Sequence, residues 1–114
     1  MQTKTNFPTK IGKIHFIGIG GIGMSGIAEV LIAHGYEIQG SDVSDTKITR
    51  RLQKIGAKIF LNQNVQNLSD ADVVVVSSAI KPDNVELQTA SRLNLPIVQR
   101  AEMLDELMLS LIHI

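Results

Sequence analysis

The stretch GIGGIGMSGIAEVL (18–31) follows directly on the apolar run KIHFI (13–17), so Gly18, Gly20, Gly21 and Gly23 stand between a predicted strand and a predicted helix. Beyond them Met24, Ile27, Ala28 and Leu31 fall at i, i+3, i+4 and i+7, one apolar helical stripe, and Gly35 supplies a C-terminal stop. Gly18, Gly20 and Gly23 fit G-x-G-x-x-G where a phosphate-binding loop requires it, after a strand and opening a helix. In that reading Gly18 permits the sharp turn, Gly20 lets phosphate oxygens reach the backbone, and Gly23 lets the helix pack close to the sheet. The free N–H groups and partial positive charge of the helix start favour a diphosphate there, with the Ser25 hydroxyl beside it. The alternative is a tight turn with no ligand, and the pattern alone does not identify the nucleotide.

Outward from this loop the chain alternates. YEIQG (36–40) reads as a second strand and AKIFL (57–61) as a third. Between them DVSDTKITRRLQKIG (42–56) reads as a helix with Ile48, Leu52 and Ile55 inward. NQNVQNLSDA (62–71) is a polar connection. DVVVVSSAI (72–80) contains four successive valines, as in a parallel strand buried on both faces. PDNVELQTASRLN (82–94) predicts a helix with Leu87, Ala90 and Leu93 on one side and its start at Pro82–Asp83. LPIV (95–98) is a fifth strand, and Leu104, Leu107, Met108 and Leu111 repeat the helical spacing. Strand and helix in turn predict an α/β fold, a Rossmann-like doubly wound parallel sheet of about five strands flanked by helices, in the order 3-2-1-4-5. The domain is expected over 13–108, after a flexible lead-in at 1–12.

The totals narrow the function classes. The 114 residues suit one domain, and 44% hydrophobic against 19% charged residues is a globular balance. Eleven basic residues offset eleven acidic ones, and aromatic residues make up 4%, which argues against nucleic-acid partners. Absent cysteine excludes disulfides and thiolate metal sites. With neither a signal-peptide pattern nor an apolar run of about 18 residues, a cytoplasmic domain without membrane contact is expected.

Three further places carry candidate chemistry. Asp42 stands 22 positions after Gly20, near where an acid holds a ribose hydroxyl in dinucleotide-binding domains. It follows Gly40 and Ser41 instead of ending the apolar run; Ser41 and Asp42 either bond a ribose or base or cap the next helix. At the end of the fourth strand, Ser77, Ser78, Ala79 and Ile80 land where open α/β sheets bind ligands, with Lys81 in reach of a phosphate or simply solvated. Arg100, after the fifth strand, is a candidate for phosphate or carboxylate contact. His15 reads as a core or edge histidine, His34 as a helix-end residue, and Glu102, Asp105 and Glu106 as an exposed face. No metal-ligand spacing is present.

HFIGIGGIGMSGIAEVL, GSD, VVVVSSAIKPDNVEL and PIVQRAEMLDELM together resemble the N-terminal domain of the Mur ligase family, the ATP-dependent amino-acid-adding ligases of bacterial peptidoglycan synthesis, and most closely its members acting on UDP-N-acetylmuramate and L-alanine. The resemblance implies a Rossmann-like domain that binds the UDP part of a substrate instead of NAD. Residues Gly18, Ile19, Gly20, Gly21, Ile22, Gly23, Met24 and Ser25 would cradle the diphosphate. Ser41 and Asp42 would lie by the uridine, and Ser77, Ser78, Ala79 and Ile80 would close the other side. In the family, ATP and Mg²⁺ bind a middle domain, where the substrate carboxylate becomes an acyl phosphate that L-alanine attacks. This sequence has no G-x-x-x-x-G-K-[ST], so the fragment is expected to hold no cofactor and to be catalytically inactive alone. Its end, LSLIHI (109–114), departs from the family, and the apolar tail is a candidate for self-association. The competing readings are an NAD(P)-binding oxidoreductase domain and a nucleotide-sensing regulatory domain.

Overall fold

A computed structural model describes residues 12–105. Most of the lead-in, Leu107, Met108 and Leu111 of the last stripe, Glu106, and the tail expected to self-associate lie outside the described residues. Strands β1 (Lys13–Ile17), β2 (Glu37–Ser41), β3 (Lys58–Phe60), β4 (Val73–Val76) and β5 (Ile97–Gln99) form one sheet in the order β3-β2-β1-β4-β5. Every neighbouring pair is parallel. The predicted fold and strand order are those observed.

Helices α1 (Met24–Ala33), α2 (Lys47–Lys54) and α3 (Val85–Arg92), a 3-10 turn at Val65–Leu68 and a helical segment at 100–105 cover the two faces. On one face Ile14, Phe16 and Ile38 of the sheet meet Met24, Ile27, Ala28 and Leu31 of α1, Leu52 of α2, and Met103. On the other, Ile17, Val74 and Val76 meet Leu68 and Ala90. The stripe read for α1 is wholly buried. Leu31 is inaccessible to solvent, so Leu31→Ala is expected to cost about 2–5 kcal/mol, readable as a lowered urea midpoint.

Three predicted helix faces are corrected. In α2, Ile48 and Ile55 are exposed, while Thr49 and Leu52 are buried. The helix starts later than expected because Thr46 caps it: its hydroxyl accepts from Thr49 N at 3.3 Å, and Thr49 Oγ1 accepts from Thr46 N at 2.9 Å. Ile55 then falls beyond the last turn. In α3 the cap is Asn84, not the Pro82–Asp83 pair; its Oδ1 accepts from Glu86 N and Leu87 N. That start turns Glu86, Thr89 and Ala90 inward and leaves Leu93 exposed at the C-terminal end. In the segment at 100–105, Met103 is buried and Leu104 exposed.

Candidate functional site

The glycine loop leaves β1 through Gly18, whose φ of +77° is the left-handed backbone that glycine tolerates without strain. Its amides are mostly spent internally. Gly18 N and Ile19 N donate to Ser41 O, both at 2.9 Å; Gly21 N donates to Gly18 O, and Met24 N to Gly21 O. Gly20 N donates to Asp42 Oδ2 at 2.9 Å. The amides of Ile22 and Gly23 alone in this loop have no hydrogen-bond partner among the described residues. They sit where α1 begins, with its partial positive charge, and Gly23 (φ +84°) offers no side-chain cap.

Arg100 completes this positive corner. A Cβ placed on Gly23 would lie 3.0 Å from Arg100 Nη1, so the guanidinium rests against the start of α1. Arg100 has no ionic or hydrogen-bonded partner among the described residues. A hollow of about 280 Å³ opens here between Gly23, Ile27 and Arg100.

On the other side of the loop lies a cleft of about 370 Å³, lined by Gly18, Asp42 and Val43, by Gln63, and by Ala79–Ile80 with Lys81, Asp83 and Asn84. The geometry thus brings together Gly18, Asp42, Ala79 and Ile80 from the sequence-derived set. Asp42 does not cap α2. Its Oδ1 accepts from Ser44 N at 3.1 Å and its Oδ2 from Gly20 N, so it locks the β2–α2 loop to the glycine loop. Ile80 closes on the turn: a Cβ on Gly18 would meet its Cδ1 at 3.4 Å.

Other members of that set are placed differently. Ile19 and Met24 are core side chains, and Ile19 packs so tightly over Gly40 that a Cβ there would fall 2.6 Å from its own Cβ. Ser41 is fully buried, its hydroxyl donating to Glu86 Oε1 at 2.6 Å, so it faces away from the cleft. Ser77 Oγ accepts from Ala79 N and shapes the turn after β4, while Ser78 is exposed. Ser25 is half-buried at the first turn of α1, and Ile22 is wholly exposed at the loop tip.

Gly20 needs the largest revision. The space a side chain would take is filled by the protein itself: a Cβ would meet Asp42 Oδ2 at 2.9 Å and Thr49 Cγ2 at 3.1 Å. Asp42 thus takes the open side and the amide of Gly20, and the amides of Ile22 and Gly23 are those left without a partner among the described residues. Gly20→Val is expected to unseat Asp42 and weaken nucleotide binding about tenfold or more, measured by calorimetry on the folded variant.

Beneath the cleft lies a group that sequence reading missed. Glu86 is fully buried, and its carboxylate accepts from four donors: His15 Nε2 (2.8 Å), Ser41 Oγ (2.6 Å), Asn64 N (3.1 Å) and Asn67 Nδ2 (2.6 Å). Gln39 Nε2 donates to Asn67 O at 2.7 Å and, from the same nitrogen, to His15 Nδ1 at 2.8 Å. His15 Nδ1 is therefore an acceptor and the ring proton sits on Nε2, facing Glu86. Burial pushes the Glu86 carboxyl up, but the hydrogen bonds from His15, Ser41 and Asn67 outweigh it and hold the group below the usual carboxylate range. An acid in the first turn of a helix reads in sequence as an exposed partner of the helix dipole, which is why nothing singled Glu86 out.

The doubly wound sheet, with a glycine turn and a helix start at the switch between β1 and β4, defines an α/β domain of the Rossmann type. The profile of the Mur ligase family, catalytic domain, matches residues 13–111, and the chain belongs to that family. The chain is 64% identical over 108 residues to a UDP-N-acetylmuramate–L-alanine ligase of Dinoroseobacter shibae, a match covering 95% of this chain and 23% of the relative. The chain therefore spans about a quarter of the length of such relatives. In three dimensions it is similar to the crystal structure of a UDP-N-acetylmuramate–alanine ligase from Thermotoga maritima, with TM-score 0.80 and 36% identity over 85% of this chain and 23% of that one. It is similar also to a UDP-N-acetylmuramate:L-alanyl-γ-D-glutamyl-meso-diaminopimelate ligase from Neisseria meningitides, with TM-score 0.77 and 28% identity over 83% of this chain and 30% of that one.

Proposed function

We propose that this chain is the N-terminal, UDP-N-acetylmuramate-binding domain of a ligase that joins L-alanine to that substrate. The observation that carries this reading is the division of charge across the glycine loop. Two amides and the Arg100 guanidinium, all without partners among the described residues, gather with a helix N-terminus on one side, a setting for a diphosphate. The cleft on the other side carries the carboxylates of Asp42 and Asp83 against one cation, Lys81, a net negative lining that disfavours phosphate and suits an uncharged nucleoside. Uridine then lies between Asp42 and Ile80, over Val43, with the diphosphate on Ile22 and Gly23. Ser41 makes no contact with the ligand in this reading; its backbone carbonyl holds the glycine loop.

The sites for ATP, Mg²⁺ and L-alanine are placed, in this proposal, outside this chain. The sequence lacks a phosphate-binding G-x-x-x-x-G-K-[ST] loop, and no cluster of metal-ligating side chains forms among the described residues. Their sites belong with the remainder of the ligase, and no step of acyl phosphate formation is assigned to the residues described. No helix among those residues is long and apolar enough to cross a membrane. The cytoplasm, where the reaction's ATP is found, is the proposed compartment.

Both oxygens of Asp42 already accept backbone N–H bonds, which makes it a poorer ribose anchor than the acid of a dinucleotide site. Calorimetric titration with UDP-N-acetylmuramate, UDP and NADH tests the proposal. Saturable binding of both uridine compounds and none of NADH is expected. Binding of NADH alone would replace this reading with that of an oxidoreductase domain.

A further inference from the structure

The cleft has three walls that come from separate parts of the chain: Asp42 after β2, Gln63 after β3, and Asn84 before α3. One buried residue reaches all three, by its side chain to neighbours of the first two and by its backbone amide to the third. Glu86 accepts from Ser41, the residue before Asp42, and from the backbone N of Asn64, the residue after Gln63. Its own amide donates to Asn84 Oδ1 at 2.9 Å, and Asn84 Nδ2 in turn donates to Gln63 Oε1 at 2.7 Å.

We infer that Glu86 is the positioning residue of this cleft: its buried carboxylate ties the segments that carry Asp42 and Gln63, and its backbone amide ties Asn84, so that the three walls keep one fixed separation. This rests on the proposed nucleotide site, since it names what keeps that site's shape. Desolvating a carboxylate opposes folding unless its lone pairs are satisfied, and here donors come from β1, β2 and the β3–β4 connection. An apolar residue of the same size would fill the space but tie none of the walls together.

The network also specifies an acceptor on both oxygens. Asn67 O must receive a proton from Gln39, which makes His15 Nδ1 an acceptor and His15 Nε2 a donor toward Glu86. Toward Oε2, Asn64 N and Asn67 Nδ2 are donors as well. A glutamine at 86 therefore sets its NH₂ against an N–H whichever way the amide turns. Glu86→Gln keeps the size of the side chain and removes the match. Among the groups facing Glu86, His15 is the titratable one; Ser41, Asn64 and Asn67 carry no charge.

The test is amide hydrogen exchange on the parent chain and on Glu86→Gln, read residue by residue. Exchange at Gly20 and Ser44, both held by Asp42, and at Asn64 is expected to quicken about tenfold or more, with the β4 amides of Val74–Val76 little changed. An equal increase across the whole sheet, or none at Gly20, Ser44 and Asn64, would overturn the inference, because either shows no selective hold on the cleft. If Glu86→Gln does not fold, Ser41→Ala cuts the single tie to β2, and the same selective increase at Gly20 and Ser44 is expected; its absence overturns the inference equally. These readouts need no ligand. Failure of the parent to bind UDP-N-acetylmuramate would count against the proposed function alone, whereas parent binding with undiminished affinity in folded Glu86→Gln would count against the positioning role alone.

Discussion

Glu86→Ala is expected to destabilise the domain by about 3–5 kcal/mol, most of the stability of a parent at the low end of the usual range of about 5–15 kcal/mol. The substitution strands His15 Nε2, Ser41 Oγ and Asn64 N at once and leaves Asn67 Nδ2 only its bonds to Asn62, in a region with little access to water. Denaturant unfolding followed by circular dichroism measures the loss; a change under about 1 kcal/mol would show that these bonds are readily replaced. The same carboxylate sets an acid limit. Its folded pKa lies below the ordinary carboxylate value of about 4.3 that it takes in the unfolded chain, so the unfolded state binds protons first. The stabilisation is complete above that range and is lost as pH falls through the folded value. Between about pH 6 and about pH 3 the parent should therefore lose more stability than Glu86→Gln, which has no proton to take up at this position.

Gly23→Val is expected to reduce affinity for UDP-N-acetylmuramate about a hundredfold, the largest effect on binding of any single loop change. Gly23 stands at φ +84°, where a β-branched side chain is strained by about 1–2 kcal/mol, and its Cβ would press on Arg100 at 3.0 Å from Nη1. Relief of that strain rotates the peptide that presents the Ile22 and Gly23 amides and displaces the guanidinium. Both contributions to the positive corner are then lost together. Arg100→Ala removes only one of them and should cost about tenfold. A folded Gly23→Val variant with parental affinity would remove the diphosphate from this position.

What the sequence made legible follows from which signals are periodic. The strand order and α1 were readable because Met24, Ile27, Ala28 and Leu31 repeat without interruption and the β4 valines form an unbroken run. The faces of α2 and α3 were misread because buried Thr49 and Glu86 count as polar in any apolar pattern. Thr49 is buried by its cap bonds to Thr46, and Glu86 by its four donors, neither of which is visible from spacing. At the candidate site, Asp42, Ile80 and Arg100 stand out in the sequence as candidates by their places after strand ends, where open sheets gather ligand groups. Ser41 was not separable from Asp42 by that argument. The alternation of a strand sends neighbouring side chains to opposite sides, and Ser41 belongs to the side of Gln39 and His15. Gly20 fits the phosphate pattern equally well whether phosphate or Asp42 fills its open side.

The most direct test of the nucleotide site is a titration of the isotope-labelled chain with UDP-N-acetylmuramate, followed by amide chemical shifts. The largest changes are expected at Ile22 and Gly23, with a second group at Asp42, Val43 and Ile80. Saturating shifts confined to other surfaces, such as the basic face of α2 at Lys47 and Arg50, or no shifts at any concentration, would contradict the account.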